Sequence, residues 1–139
     1  MTSISAEQLN QSLDPNLWPR FERAECHDNI VSIVAVVPDD LDYFAGHFPE
    51  QAVLPGVVQV HWVGELAQTI FSLSGFSELK SIKFSNMILP NQALELTLKY
   101  VPDKDTLRFS YQSLSSDGEV VKFSNGMLRF ITDTDGNKL

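Results

Sequence analysis

Residues 54–73 decide the fold: Leu54-Pro55-Gly56-Val57-Val58-Gln59-Val60-His61-Trp62-Val63-Gly64-Glu65-Leu66-Ala67-Gln68-Thr69-Ile70-Phe71-Ser72-Leu73. Apolar residues recur at helical spacing on more than one side of this segment. The pattern predicts one long helix, from Gly56 to about Ser74, that the rest of the protein encloses. Pro55 interrupts the chain just before the helix, and Gly75 is placed to end it. The first amides of such a helix have no acceptor within the helix itself.

Six strands are predicted around this helix. Two of them, Arg20 to His27 and Ile30 to Val37, precede it and are joined by a tight turn at Asp28-Asn29. Four follow it, separated by turns rich in Pro, Asn, Asp and Gly, and span about 78–89, 93–101, 106–115 and 119–132. In the second of these four, leucines alternate with polar residues, which predicts that one face is turned toward the helix.

These elements predict an α+β fold, in which an antiparallel sheet of about six strands is wrapped around one long central helix. Such a sheet leaves a long free edge, which pairing with a second copy of the chain would remove. Ahead of the sheet, Asp14-Pro15-Asn16 predicts a short helical turn that packs Trp18 on the domain. Residues 39–44 predict another turn, which leads into the loop that carries His47.

Composition limits the class of protein. The 139 residues, 43% of them hydrophobic, predict a single domain over 1–139, with an N-terminal extension (1–18) and a tail (133–139). One cysteine, Cys26, and an N-terminus without a signal pattern favour the cytoplasm. No apolar run approaches the roughly 20 residues of a membrane span. The net charge is −8, and the sequence has no Lys/Arg cluster that could neutralise the phosphate backbone of a nucleic acid. Nucleic acid is therefore not an expected partner.

The candidate chemistry centres on His47, within Tyr43-Phe44-Ala45-Gly46-His47-Phe48-Pro49. An imidazole supplies a neutral base near pH 7. A base beside a row of helix-start amides can remove a proton next to a thioester carbonyl, while the amides hold the resulting oxyanion. Gly56 begins that row, and its lack of a side chain lets a substrate approach the backbone closely.

The combination of Gly46-His47-Phe48-Pro49, Val53-Leu54-Pro55-Gly56-Val57 and the following helix resembles the β-hydroxyacyl-(acyl-carrier-protein) dehydratase family of hot-dog proteins. Two later stretches, Ile82-Lys83-Phe84-Ser85-Asn86 and Leu89-Pro90-Asn91, are also similar, so the resemblance covers roughly residues 20–131. Residues 54–62 look closest to the thioester dehydratases of aryl-polyene pathways.

The resemblance implies a single hot-dog domain that forms a homodimer or a higher even oligomer, with two active sites at the subunit interface. It implies a lyase that removes water from a 3-hydroxyacyl thioester to give a trans-2-enoyl thioester, in fatty-acid or aryl-polyene-type synthesis. The substrate would be carried by the phosphopantetheine of an acyl carrier protein. No cofactor and no metal are implied.

The resemblance also implies roles for individual residues. The catalytic base maps onto His47, and the amide that binds the thioester oxygen maps onto Gly56, with Val57 beside it. The family has Glu or Asp at the position of His61. Glu65 follows one helical turn later, and a carboxylate there favours a charged imidazole, so His61 and Glu65 are predicted to act together as the proton donor.

Two other functions stay open at this point. His61 and Glu65 could orient a water for thioester hydrolysis, which the hot-dog fold also supports. Alternatively, because His61 replaces the Glu or Asp of the family, the chain could form a dimer that binds acyl chains or carrier protein without catalysis. Six basic residues are candidates for contacting an acidic carrier protein: Lys80, Lys83, Lys99, Arg108, Lys122 and Arg129.

Overall fold

The computed structural model describes residues 4–44, 52–73, 75–114 and 119–130, with the backbone alone at 76 and 77. These ranges contain two α-helices, α1 (Ala6–Ser12) and α2 (Gly56–Phe71). They also contain six strands: β1 (Arg20–His27), β2 (Ile30–Val36), β3 (Phe76–Phe84), β4 (Ala93–Val101), β5 (Thr106–Ser113) and β6 (Lys122–Phe130). Short 3-10 turns lie at Asp42–Phe44 and Pro102–Lys104.

The strands form one antiparallel sheet in the order β1-β2-β4-β5-β6-β3. The predicted alternation in β4 is confirmed, since Leu94, Leu96 and Leu98 are each at most 3% exposed. Their partners on β5 include Tyr111 and Phe109, which are equally buried. This inner face of the sheet packs against α2, and the predicted architecture of six antiparallel strands with one long helix is confirmed.

The sheet covers one side of α2 and leaves the other exposed. Trp62, Val63 and Ile70 lie in the core. Val57 is 76% exposed, and His61 and Glu65, at intervals of four residues, are exposed as well. These three residues, here called the exposed stripe of α2, lie on one helical face because residues four apart are neighbours on a helix.

The edge strand β3 carries a bulge. Ser81 has a left-handed backbone (φ 55°), and the pairing with β6 shifts register between Lys80 and Lys83. The partner strand has a glycine at this point, Gly126, and a side chain there would collide with Ile82. Pairing resumes at Lys83 and Phe84 and ends there, because the amides of the next two residues both turn to the carbonyl of Phe123. The prediction that this strand continues to residue 89 was therefore wrong.

The N-terminal segment was only partly predicted. Trp18 is buried as expected, and the turn at Asp14 is present, with the Leu17 amide bonded to the Asp14 carbonyl at 3.0 Å. The helix α1, however, lies upstream of that turn and was not predicted. Its N-cap is Ser5, whose side chain accepts from the Gln8 amide while the Gln8 side chain accepts from the Ser5 amide. This reciprocal capping box was the missed signal.

The predicted end of α2 at Gly75 was also wrong. The helix ends at Phe71, and Ser72 takes the left-handed conformation (φ 57°) that Gly75 was expected to provide. The Leu73 amide then bonds to the Gln68 carbonyl, and the Leu73 side chain packs against the core. Burial of Leu73 offsets the cost of a left-handed serine. Among the described residues, no helix is long and apolar enough to cross a membrane.

Candidate active site

A cleft of about 400 Å³ opens at the start of α2. Its walls come from the segment before the helix, the first helical turn and the chain that follows β3: Val53, Leu54, Pro55, Gly56, Gln59, Phe84, Ser85, Asn86 and Met87. The corner at residues 54–56 is held in place because the Leu54 amide donates to the Ile88 carbonyl at 2.9 Å. The cleft is thus built where a helix N-terminus meets the edge of the sheet.

Two helix-start amides lie at this end of α2, that of Gly56, which lines the cleft, and that of Val57 next to it. The Pro55 carbonyl accepts from the Val58 and Gln59 amides at 3.1 and 3.2 Å. Within the part of the chain that the structure describes, no group accepts from the amides of Gly56 or Val57. Two donors at the positive end of a 16-residue helix can stabilise a negatively charged oxygen.

Gly56 is closely covered by an aromatic ring. A Cβ atom at this position would come within 2.7 Å of Cζ of Phe84, so a side chain here would require the ring to move. Phe84 is itself 52% exposed. A substrate that reaches the Gly56 amide therefore shares this space with the Phe84 side chain.

Gln59 is a buried polar residue of the cleft lining and is 3% exposed. Its Oε1 accepts from Ser124 Oγ at 2.7 Å, and its Nε2 donates to the Leu54 carbonyl at 3.3 Å. The Tyr111 hydroxyl donates to the Gln59 backbone carbonyl at 2.7 Å. Burial raises the pKa of Tyr111 well above its ordinary value of 10.0, so this hydroxyl keeps its proton and remains a donor.

The predicted site residues are distributed over two places. Gly56 lines the cleft. His61 and Glu65 lie on the exposed stripe of α2 and do not line it, and Val57 begins that stripe. His47, the predicted base, lies outside the described residues.

His61 has aromatic surroundings on one side. Its ring centroid lies 5.9 Å from that of Trp18, which in turn stacks on Trp62 at 6.0 Å with an interplanar angle of 21°. Trp62 Nε1 donates to the Leu17 carbonyl at 3.0 Å. The N-terminal segment is therefore fixed against α2 next to His61, and the remaining side of the imidazole faces outward.

Sequence reasoning missed two residues of the cleft, Gln59 and Phe84. Glutamine is a residue type that by itself indicates no role for Gln59. The available signal was its position, because a polar side chain among the buried residues Val58, Trp62 and Val63 requires internal hydrogen bonds. For Phe84, which is distant in sequence, no local pattern indicated its contact with Gly56.

A larger cleft, of about 570 Å³, lies between α1 and β1 and includes Trp18, Arg20 and Asp40. Of the predicted site residues that the structure describes, none lines it. Over residues 4–44, 52–73, 75–114 and 119–130, no cluster of three or more His, Cys, Asp or Glu residues could hold a metal ion.

Known proteins resemble this chain in both sequence and structure. The dehydratase heterocomplex ApeI:P from Xenorhabdus doucetiae superposes with a TM-score of 0.71 at 31% identity, over 81% of this chain and 97% of that one. An uncharacterized protein from Erwinia carotovora subsp. atroseptica superposes with a TM-score of 0.70 at 33% identity, over 81% and 92% of the two chains.

A curated relative is the 3-hydroxyacyl-[acyl-carrier-protein] dehydratase FabZ of Streptococcus mutans, 26% identical over 111 residues, which are 74% of this chain and 77% of the relative. The sheet, the helix and these likenesses confirm the predicted hot-dog fold. The profile of the ApeI-like family, described as ApeI dehydratase, matches residues 23–126, which is most of the chain. The chain therefore belongs to the ApeI-like dehydratase family.

Proposed function

We propose that this chain is a hydro-lyase that removes water from a 3-hydroxyacyl thioester and forms the trans-2-enoyl thioester, in fatty-acid or aryl-polyene-type synthesis. The observation that carries the proposal is the cleft at the start of α2, where the Gly56 and Val57 amides have no acceptor among the described residues. A thioester oxygen placed there would receive two hydrogen bonds as negative charge develops on it.

The first half of the reaction is removal of the α-proton. His47 takes this proton, and the electron pair moves toward the thioester carbonyl, whose oxygen is held by the amides of Gly56 and Val57. General-base assistance of this kind contributes about 10²–10⁴-fold. The sequence places His47 nine residues before Gly56, close enough along the chain for both to serve one cleft.

The second half is departure of the β-hydroxyl as water. His61 donates a proton to this oxygen as the C–O bond breaks, and Glu65, one helical turn along, is its proposed partner. Both lie on the exposed stripe of α2 rather than in the cleft, so they would serve the cleft of a partner subunit. After turnover His47 holds the proton that His61 has lost, and proton exchange with solvent restores the pair.

The β3 edge supports a homodimer. On one side β3 pairs with β6, and no described strand pairs with its other side. Leu79, Phe84 and Met87 are 46%, 52% and 62% exposed along this edge, close to the cleft. An apolar strand edge with unpaired backbone groups is a surface that a second sheet can extend.

Leu79→Asp is expected to dissociate the dimer and abolish activity at the same protein concentration. Two carboxylates facing each other across a twofold contact cost several kcal/mol, which corresponds to at least a roughly 100-fold rise in the dimer Kd. Sedimentation velocity and dehydration rate measure the two effects. The matched control is Val120→Asp, because Val120 is equally exposed (46%) but lies before β6 and outside the β3 edge. Wild-type mass and activity for Leu79→Asp would contradict the proposal.

The outer face of the sheet supports an acyl carrier protein as the substrate carrier. Lys99, Arg108 and Lys80 lie in one row across β4, β5 and β3, with Met127 of β6 between the last two. Like charges directly opposite each other destabilise a sheet. No described acidic side chain forms an ion pair with Lys99 or Arg108. This row can therefore attract an acidic protein surface.

An assay with the purified chain tests the proposed function. A 3-hydroxyacyl thioester on carrier protein is expected to give the conjugated enoyl thioester, followed by its ultraviolet absorbance. Added salt should raise KM for the carrier-linked substrate and leave KM for the pantetheine-linked substrate unchanged, because salt screens charges beyond about 8–10 Å.

The control substrate is an acyl thioester without the 3-hydroxyl group. Release of free thiol from it would identify a hydrolase instead. An absence of product from both substrates, with the carrier still bound, would identify a binding protein without catalysis. Either result would overturn the proposed lyase.

A further inference from the structure

We propose that Gln59 is a positioning residue, which aims the Gly56 amide into the cleft by holding the carbonyl of Leu54. This inference rests on the proposed function, which assigns the amide to the thioester oxygen. Gln59 itself is not expected to touch the reacting atoms.

The start of α2 lacks the usual means of fixing a helix end. Its N-cap is Pro55, which makes no side-chain capping hydrogen bond. Ser, Thr, Asp or Asn at this position would bond to an amide of the first turn and occupy it. Without such a cap, the first amides stay available. The Val58 and Gln59 amides hold the Pro55–Gly56 peptide against the first turn through the Pro55 carbonyl, so another contact must hold this turn against the segment before it.

Gln59 supplies that contact from inside the first turn. Its Nε2 donates to the Leu54 carbonyl at 3.3 Å, while the Leu54 amide donates to Ile88 at 2.9 Å. Leu54 is therefore held at both its amide and its carbonyl, and the carbonyl lies in the plane of the Leu54–Pro55 peptide. Peptide bonds are planar and the proline ring fixes φ of Pro55. The torsion ψ of Pro55 is therefore the only free rotation between this plane and the Gly56 amide.

The sheet fixes Gln59 in turn. Its Oε1 accepts from Ser124 Oγ at 2.7 Å, and Ser124 is 1% exposed in the middle of β6. Ser124 also lies opposite Phe84 of β3, the residue whose ring covers Gly56. The Gln59 side chain thus connects the sheet with the corner before α2 at the cleft. Losing one of its two buried hydrogen bonds would leave a polar group unpaired, which costs free energy of folding.

Gln59→Leu is expected to lower kcat for dehydration by about ten- to a hundredfold, less than the 10²–10³-fold lost when an oxyanion donor is removed outright. KM for the pantetheine-linked substrate should stay within about threefold, because the amide acts on charge that develops in the transition state. The matched control is Tyr111→Phe, which removes a buried hydrogen bond to the same residue's backbone. It should lower Tm and leave kcat within about twofold.

The double variant Gln59→Leu/Ser124→Ala separates positioning from stability. It leaves no unpaired Ser124 hydroxyl, so Tm should recover while kcat stays low. Recovery of kcat together with Tm would overturn the inference, as would an unchanged kcat in Gln59→Leu.

A second readout does not depend on activity. The ¹⁵N–¹H signal of Gly56 should shift in Gln59→Leu and remain in place in Tyr111→Phe, and an unmoved signal in Gln59→Leu would also overturn the inference. If the wild type does not dehydrate the substrate, the proposed function fails, and the Gly56 signal still decides whether Gln59 positions this amide.

Discussion

His47→Ala is expected to lower kcat for dehydration by about 10²–10⁴-fold, the usual contribution of a general base. The imidazole is the proposed acceptor of the α-proton, and alanine offers no replacement. KM reflects the contacts of the acyl chain and the pantetheine, so KM should change little. Steady-state kinetics with the pantetheine-linked substrate measures both parameters without a contribution from carrier docking.

The matched control uses one of the three histidines of the chain. His27 ends β1 and its side chain is 92% exposed, so His27→Ala removes an imidazole from the surface alone. It should leave kcat and Tm unchanged. If His47→Ala retained more than half of the wild-type kcat, His47 would not be the base.

His61→Ala is expected to lower kcat by about 10²-fold or more, because the leaving hydroxyl then lacks its proton donor. The stability loss should stay within about 0.5 kcal/mol, since the side chain is exposed and loses only its contact with Trp18. His61→Glu should retain activity, because a carboxylic acid can perform the same transfer. The control is Thr69→Ala, an exposed position two turns along the same helical face.

Mixing two inactive variants tests whether the site is shared between subunits. A heterodimer of His47→Ala and His61→Ala chains has one site with both substitutions and one with neither. Random exchange makes half of the dimers heterodimers, so about a quarter of the sites regain activity. No recovery after verified exchange would place His47 and His61 in the same subunit's site.

Full activity of the His61→Ala variant would show that His61 is not the acid. A gain in activity in the His61→Glu variant would show that histidine impairs the native site.

Alternation and turn residues predicted most of the sheet. β1 and β4 were predicted to the residue, β4 because its leucines alternate with polar residues and β1 because a tight turn follows it directly. The predicted extension of β3 to residue 89 failed, because the amides of Ser85 and Asn86 both turn to the carbonyl of Phe123 on β6. A contact between distant strands leaves no local pattern in the sequence.

The candidate site could be predicted only in part for the same reason. A motif identified Gly56, and the structure places it in the cleft. The roles of His61 and Glu65 rest on the resemblance and on helical spacing, and remain predictions. The link from Gln59 to Ser124 joins residues 65 apart, and only the folded chain brings them together.

The stack of Trp18 on Trp62 makes the intrinsic tryptophan fluorescence of the protein a probe of this region. The chain has two tryptophans, and both lie in this stack, with one of them touching His61. All indole fluorescence therefore originates beside the exposed stripe of α2. An imidazole in contact with an indole quenches its emission, so intrinsic fluorescence offers a label-free optical report on residue 61 as ligand or a second subunit arrives.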